Sequence, residues 1–210
     1  MLRLFYAPGT IAVATAITLH EAGLKFEPVP VDFPSGEQTK PDYHRINPKG
    51  RVPALVTDHG TLTETGALLE YIAAMAPQAN LVPSDPFQAA KMREVMYYLA
   101  STMHVAHAHK VRGERWADAE SSWTDMNAKV AQNMTDCCTH IETCCLTGPF
   151  VLGDQISLAD PWLFTICTWL TGDGVDLSRF DTLRTFMQQM ESRPSVQATR
   201  AAGILQAGIL

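Results

Sequence analysis

The chain has 210 residues, of which 46% are apolar and 18% charged, and its formal net charge at pH 7 is -6. This length fits one large domain or two small ones. The apolar content excludes a disordered chain, and the acidic balance argues against binding to nucleic acid, which requires a basic surface. The expected partner is therefore a small molecule or another protein.

The first thirty residues predict a strand, a helix and a second strand. Leu2 to Tyr6 suits a strand, and Ala7-Pro8-Gly9-Thr10 has the composition of a turn. Ile11 to Glu21 is a mostly apolar helix that Gly23 ends, and Phe26 to Asp32 is a strand with β-branched residues. These elements form a βαβ unit, so its two strands should be parallel.

A hairpin and a helix follow a polar stretch. Val52-Pro53-Ala54-Leu55-Val56 and Thr61-Leu62 are short apolar runs, and Asp58-His59-Gly60 between them predicts a turn joining antiparallel strands. Thr63-Glu64-Thr65 then opens a helix through Ile72, with a hydroxyl cap and an acid in its first turn. The first part of the chain is thus βαβ followed by ββα, with a proline opening the third strand, which is the thioredoxin-like arrangement.

The best candidate linker lies at residues 76–86, which contain three prolines. Beyond it the sequence lacks strand signals, and it predicts helices at about 87–112, 120–147, 157–171, 179–192 and 194–202. We therefore expect an α/β plus all-α architecture, with a thioredoxin-like domain over residues 1–78 and an all-helical domain over residues 86–210. No run of eighteen or more apolar residues occurs, so we expect no membrane span.

The N-terminus and the cysteines bear on the compartment. Arg3 and the apolar run Ile11 to Leu19 loosely imitate a signal peptide, but Pro8-Gly9 interrupts the pattern. The five cysteines are odd in number and confined to the helical part, unlike a disulfide framework. A cytoplasmic, reducing location is therefore expected. A metal site is conceivable at Cys137, Cys138, Cys144 and Cys145, but the absence of Cys-x-x-Cys knuckles favours helix packing instead.

Two features predict a peptide-like ligand. A cis peptide bond at Pro53 would leave the N–H and C=O of Val52 free to pair with an extended peptide, although Pro53 could instead be an edge-strand proline that limits aggregation. The helix after Leu62 offers unpaired N–H groups to a carboxylate, and Thr65 adds a hydroxyl donor. Side by side, these features would hold the backbone and the terminal carboxylate of a small peptide.

Specific motifs occur along nearly the whole chain. The most specific combination is Asn47-Pro48-Lys49-Gly50-Arg51-Val52-Pro53-Ala54-Leu55 followed by Leu62-Thr63-Glu64-Thr65. A second lies in Gly153-Asp154-Gln155-Ile156-Ser157-Leu158-Ala159-Asp160, where Ser157 and Asp160 have the spacing of a capping box. Shorter matches are Tyr6-Ala7-Pro8-Gly9, Leu19-His20-Glu21-Ala22-Gly23-Leu24, Val31-Asp32, Leu163-Phe164 and Arg193-Pro194. With these motifs the chain resembles the cytosolic glutathione transferases, and most of all their bacterial beta class.

The resemblance implies a homodimeric detoxification enzyme that conjugates its co-substrate glutathione to small hydrophobic electrophiles bound in a cleft of the helical domain. It implies that Val52 and Pro53 hold the cysteinyl part of glutathione, and that Glu64 and Thr65 hold the γ-glutamyl end. No nucleic acid and no membrane is expected as a partner. Two alternatives stay open: a non-catalytic protein that binds glutathione or a hydrophobic ligand, and a glutathione-dependent disulfide reductase.

The beta class usually carries a cysteine, and often a serine, where this chain has Ile11 and Ala12. A mixed disulfide cannot form there, so the protein must favour the thiolate of glutathione itself, whose free thiol has a pKa of roughly 8.5. Thr10 is placed slightly ahead of Tyr6 as the hydroxyl donor to sulfur, and the backbone N–H of Ile11 is a third candidate.

His104 matches the beta-class histidine that faces the glutathione sulfur, and His107 lies one turn along the same helix face. Histidine can donate to a thiolate or stay neutral near neutral pH, so both are candidate site residues. A metal site at His104, His107 and His109 is disfavoured, because only the first two share a face and no acidic ligand is expected near them.

Overall fold

The structure of the protein is a computed structural model, and it describes residues 1–206. Within these residues the chain forms two compact units. The first contains residues 1–83 and 190–206, and the second contains residues 84–189. No helix in the described part of the chain is long and apolar enough to cross a membrane.

The first unit contains a four-stranded sheet in the order β2-β1-β3-β4. Its central strand β1 (Leu2–Tyr6) pairs in parallel with β2 (Phe26–Pro30) and antiparallel with β3 (Ala54–Thr57). The hairpin partner β4 (Gly60–Thr63) pairs antiparallel with β3. The predicted βαβ unit, the hairpin and the thioredoxin-like fold class are confirmed.

The helices of the first unit are α1 (Ala12–Glu21), the short α2 (Pro41–His44), α3 (Thr65–Met75) and α9 (Pro194–Ala201). Residues 12–19 of α1 are all buried. This helix packs against β1, α3 and α9 at once, which explains why it is apolar on every side rather than amphipathic.

A partly buried ion pair fixes the C-terminal segment of the first unit. Arg193 donates to both carboxylate oxygens of Glu21, at 2.5 and 2.8 Å, and the Ser195 hydroxyl donates to the same carboxylate. Residues 190–206 therefore group with the first unit. The limits 1–78 and 86–210 remain a prediction for the domains, and residues 207–210 of that range lie outside the described part of the chain.

The second unit is helical. Its helices are α4 (Pro86–Tyr98), α5 (His104–Ala108), α6 (Glu120–His140), α7 (Ala159–Cys167) and most of α8 (Asp181–Glu191). Two π-helical turns interrupt the long helices predicted from sequence: Leu99–Met103 joins α4 to α5, and Ile141–Cys145 follows α6. The core is built from large side chains that are fully buried, including Met92, Leu99, Met103, Phe164 and Phe186.

Ser157 and Asp160, which have the spacing of a capping box, are in contact. The Asp160 carboxylate accepts bonds from the Ser157 N–H and from the Ser157 hydroxyl. The other carboxylate oxygen accepts the Val151 N–H, and Asp160 is fully buried. Asp160 therefore ties residues 151–157 to the start of α7.

Four of the five cysteines are buried, while Cys144 is exposed, and all five thiols are free. Burial raises the pKa of Cys138 to about 12 and that of Cys145 to about 11, so these thiols stay protonated at neutral pH. Among residues 1–206 no group of three or more His, Cys, Asp or Glu side chains could hold a metal ion. The burial of the cysteines agrees with their interpretation as packing residues.

The Glu21 ion pair should make the stability of the protein depend on pH. Burial raises the pKa of Glu21, but hydrogen bonds from Arg193 and Ser195 and the charges of Arg193 and His20 outweigh it, so the net pKa is lowered from 4.5. A carboxyl with a depressed pKa stabilises the folded state above its unfolded pKa, and this contribution is lost as the pH falls through the folded value. Glu21→Gln should therefore cost about 2 kcal/mol at pH 7 and much less near pH 3.

Urea denaturation from pH 3 to pH 7 measures this difference in unfolding free energy. The control is Glu27→Gln, which removes a half-exposed carboxylate paired with Arg3 and should change stability little at any pH. An equal cost of Glu21→Gln at both ends of the pH range would contradict the expectation.

Candidate active site

The backbone of Val52 is free at the start of β3. The Val52–Pro53 peptide bond is cis, and β3 begins at the next residue, Ala54. Because β3 lies between β1 and β4, Pro53 precedes an interior strand and is not an edge-strand proline. Within the described residues, neither the N–H nor the C=O of Val52 has a backbone hydrogen-bond partner. This donor and acceptor are available to a peptide-like ligand.

A set of partly buried hydrogen bonds holds the loop that precedes Val52. The amide of Asn47, which is 1% exposed, donates to the Arg51 carbonyl at 2.6 Å and accepts the Lys49 N–H at 3.1 Å. The Tyr43 hydroxyl donates to the same carbonyl at 2.7 Å. Burial, with a smaller effect of the Glu37 charge, raises the pKa of Tyr43 to about 12, so this donor keeps its proton. The loop is thus fixed by side chains.

Gly50 is required at its position in this loop. Its φ is +62°, in the left-handed region that favours glycine, and a Cβ atom there would lie 2.9 Å from the Gln38 carbonyl oxygen. Both observations explain why the motif around Asn47 contains a glycine.

The start of α3 has no side-chain cap. The hydroxyl cap predicted there is wrong: Glu64 occupies the N-cap position with φ 72° and ψ 117°, and it makes no side-chain capping bond. The first turn therefore keeps N–H groups that are available to an anion. A non-glycine residue at positive φ stores backbone strain, which is frequent at binding sites.

Lys49 is a site residue to which sequence reasoning assigned no role. Its ammonium contacts the Glu64 carboxylate at 2.5 Å and the Thr63 hydroxyl at 2.7 Å. It thereby places a positive charge next to the uncapped start of α3. Its position inside the motif Asn47-Pro48-Lys49-Gly50 was the signal that could have identified it.

The strand register brings most of the predicted site residues to one edge of the sheet. Ala54 pairs with Phe5 on one side and with Thr63 on the other. Their chain neighbours Tyr6, Pro53 and Glu64 therefore lie together where β1 and β4 end and β3 begins. The sheet thus gathers the two glutathione-binding segments predicted from sequence beside the turn that follows β1.

In that turn the Thr10 hydroxyl is already engaged. It donates to the Ala7 carbonyl at 2.7 Å, and it accepts the Ala12 N–H at 3.4 Å. Because a hydroxyl has one proton, Thr10 can donate to a ligand only by leaving Ala7. The Ile11 N–H, by contrast, has no backbone hydrogen-bond partner among the described residues. Tyr6 is buried and is the last residue of β1, a few residues before this turn.

His104 and His107 lie on α5 in the second unit, directly after a π-helical turn. The His107 ring stacks on Trp169 at a centroid distance of 4.3 Å, and its Nδ1 lies 2.7 Å from an Asp173 carboxylate oxygen. The His104 ring is 5.2 Å from Trp169. The expectation that no acid lies near this pair is wrong: Asp173 contacts the His107 ring, although it is 66 residues away in sequence.

Comparison with known proteins places this geometry in a family. A model described as "Glutathione S-transferase, N-terminal domain" matches residues 1–74, and one described as "Glutathione S-transferase, C-terminal domain" matches residues 115–201. The chain belongs to the glutathione S-transferase family. The similar protein named glutathione S-transferase GstA, from Escherichia coli O157:H7, is 31% identical over 204 residues, which cover 96% of this chain and 98% of that protein.

Solved glutathione S-transferase structures are also similar. A Sulfitobacter glutathione transferase homologue with bound glutathione has 59% sequence identity and a TM-score of 0.96, covering 98% of this chain and 99% of that one. The beta-class enzyme of Sphingomonas chungbukensis has 29% identity and a TM-score of 0.83, covering 96% and 98%. The predicted family, fold class and glutathione transferase assignment are confirmed, while the roles of individual site residues stay predictions.

The stability of the glutathione S-transferase loop can be tested through the two donors to the Arg51 carbonyl. Asn47→Ala and Tyr43→Phe should each cost about 1–2 kcal/mol of unfolding free energy, and the double variant should cost more than their sum. Either single variant leaves one side-chain donor on the Arg51 carbonyl, whereas the double variant leaves neither of the two. Urea denaturation measures the three values.

The exposed Tyr97 provides the control, because Tyr97→Phe should leave the unfolding free energy unchanged. Strict additivity of the two loop substitutions would show that the Arg51 carbonyl is not their shared partner.

Proposed function

We propose that the protein binds glutathione in its first unit and transfers the thiolate to small hydrophobic electrophiles. The observation that carries this proposal is the free backbone of Val52 beside the uncapped start of α3, at the same edge of the sheet. The glutathione bound to the Sulfitobacter homologue, at 59% identity, supports the choice of ligand.

The two segments fit two neighbouring residues of the tripeptide, the cysteinyl and the γ-glutamyl residue. The N–H and C=O of Val52, turned out before Pro53, pair with the backbone of the cysteinyl residue. The N–H groups that begin α3, together with the Thr65 hydroxyl, take the γ-glutamyl carboxylate. Glu64 accepts from the γ-glutamyl amino group, and Lys49 fixes the Glu64 carboxylate for this contact. The net charge of the chain contributes nothing to glutathione binding, since both the chain and the ligand are acidic.

The thiolate needs donors other than a protein thiol. Residues 1–136 contain no cysteine, and Ile11 and Ala12 follow the turn after β1. We place the Tyr6 hydroxyl and the Ile11 N–H ahead of Thr10 as donors to sulfur, because the Thr10 proton is bonded to Ala7. His104 and His107 are proposed as further contacts of glutathione. Holding the two reactants together and lowering the thiol pKa supply most of the rate gain.

Detoxification in the cytoplasm by a homodimer is the proposed setting. The five free thiols favour a reducing compartment, and family membership favours the dimer. The non-catalytic binding protein and the disulfide reductase are the competing functions. The reductase is disfavoured because its exchange chemistry uses a reactive protein thiol, and burial raises the pKa of the Cys137, Cys138, Cys145 and Cys167 thiols.

The binding contacts can be tested with Thr65→Val, which removes a nearly buried hydroxyl at the start of α3. The dissociation constant for glutathione should rise about 10-fold, because one hydrogen bond to a charged group is lost. Isothermal titration calorimetry measures it. The matched control is Thr61→Val on the exposed part of β4, which should bind as the wild type does. Equal affinity of both variants would remove Thr65 from the site.

The chemistry can be tested by titrating the thiolate absorbance of bound glutathione and by assaying conjugation to a chlorinated nitrobenzene. The wild type should lower the bound thiol pKa below about 8.5. Tyr6→Phe should raise the pKa of the bound thiol and lower kcat/KM about 10-fold. Thr10→Val should change both quantities less. The control is Tyr71→Phe, on α3.

Binding without conjugation, with the bound thiol pKa at its free value, would favour the non-catalytic binding protein. No binding at all would reject glutathione as the ligand. Equal thiol pKa in the wild type and in Tyr6→Phe would exclude Tyr6 as the sulfur donor and leave the Ile11 N–H.

A further inference from the structure

The end of α9 contacts the turn in which the glutathione sulfur is proposed to bind. Gly9, in the turn after β1, donates its N–H to the Ile204 carbonyl at 2.9 Å. The Gln206 side chain lies against the same residue, because a Cβ atom on Gly9 would be 3.1 Å from the Gln206 Cδ and Oε1 atoms. All three residues belong to the first unit. The proposed glutathione contacts do not explain why the chain returns to this turn.

A glycine directs the chain from α9 toward Gly9. Gly203 has a φ of +72°, in the left-handed region that favours glycine, and its N–H donates to the Arg200 carbonyl at 2.9 Å. The Ile204 N–H donates to the Thr199 carbonyl at 3.2 Å. This pair of bonds is a Schellman motif, which ends a helix and turns the chain away from its axis. Residues 203–206 are called the α9 turn below.

Burial and charge hold the α9 turn in place. Ile204 and Leu205 are both buried. The Arg200 guanidinium donates to the Gln206 carbonyl, and it also pairs with the Glu191 carboxylate. The α9 turn is therefore anchored independently of its contact with Gly9, so it can act as a fixed support for that residue.

Gly9 is the residue of the turn after β1 that gains most from such a support. Within the turn, the Thr10 N–H and hydroxyl both donate to the Ala7 carbonyl, at 3.3 and 2.7 Å, and these bonds pass over Gly9. Gly9 has a φ of +70°, and glycine loses more conformational freedom on ordering than any other residue. The bond to Ile204 fixes the Gly9 peptide, and with it the course of the chain to Ile11, two residues later.

We propose that the α9 turn is a positioning element of the sulfur site, which fixes Gly9 and thereby aims the Ile11 N–H at the thiolate of glutathione. The proposal rests on the proposed function, in which this N–H donates to sulfur. A donor that is already in place stabilises the developing charge without a cost of reorganisation. The contacts proposed for Val52 and the start of α3 do not involve the α9 turn, so its loss should act on the thiol and hardly on glutathione affinity.

The experiment compares Gly203→Val with the wild type. No atom lies within 4 Å of the position that a Cβ would take at Gly203, so the variant acts through backbone strain at positive φ. Hydrogen exchange of the Gly9 N–H should become about 10-fold faster. The pKa of bound glutathione should rise toward the free value of roughly 8.5, and kcat for conjugation should fall about 10-fold. The KM for glutathione should change less than about 2-fold.

Gly23→Val is the matched control. Gly23 has a φ of +66°, follows α1 with the same pair of backbone bonds, and has no atom within 4 Å of its Cβ position. This variant should lower the urea midpoint about as much as Gly203→Val does, but leave the thiol pKa and kcat unchanged. Gly203→Asn is the conservative variant, and it should keep wild-type exchange at Gly9 and wild-type kcat, because asparagine tolerates positive φ. If Gly203→Val does not fold, Gly203→Ala decides by the same measurements.

Several outcomes would overturn the proposal. If the wild type lowers the pKa of bound glutathione and Gly203→Val keeps that pKa and kcat, this proposal fails while the proposed function stands. Unchanged hydrogen exchange at Gly9 would have the same meaning, since the α9 turn would then not fix this residue. An equal loss of kcat in Gly23→Val would assign the effect to general destabilisation. A wild type that does not bind glutathione would reject the proposed function, and this proposal with it.

Discussion

The candidate site depends on the two hydrogen bonds that the Arg51 carbonyl accepts from buried side chains. Tyr43 lies on α2 and Asn47 lies just after this helix, and both donate to this one oxygen. Because the side chains satisfy this carbonyl, the loop needs no strand pairing of its own and Val52 can remain unpaired. A free backbone donor and acceptor where β3 begins is useful for binding only if it is held rigidly, and the hydrogen bonds from the buried side chains of Asn47 and Tyr43 provide that rigidity.

The residues that form the site illustrate what local sequence patterns determine. The strands at Leu2–Tyr6 and Ala54–Thr57 follow from short apolar runs bounded by turn residues, and the hairpin follows from Asp58-His59-Gly60. Both depend on neighbours in sequence, so they could be predicted. The cap of α3 could not, because Glu64 adopts a positive φ that tertiary structure imposes against its intrinsic preference.

The contacts that sequence analysis missed join residues far apart in the chain. Glu21 and Arg193 are separated by 172 residues, and His107 and Asp173 by 66. Each of these residues is recognisable in the sequence as a charged or titratable group, and Glu21 and Arg193 lie within the short motifs that carry the family resemblance. No sequence periodicity relates such distant pairs, however. The π-helical turn before His104 was equally invisible, since Leu99–Met103 reads as ordinary helix. Fold could therefore be predicted more fully than the polar contacts that support function.

The return of the C-terminal segment to the first unit has a consequence for biosynthesis. The Gly9 N–H donates to the Ile204 carbonyl, and α9 packs along α1, so the turn after β1 is completed by residues translated almost two hundred positions later. The nascent first unit must therefore wait on the ribosome, with the apolar surface of α1 partly uncovered, while the second unit emerges and begins to fold.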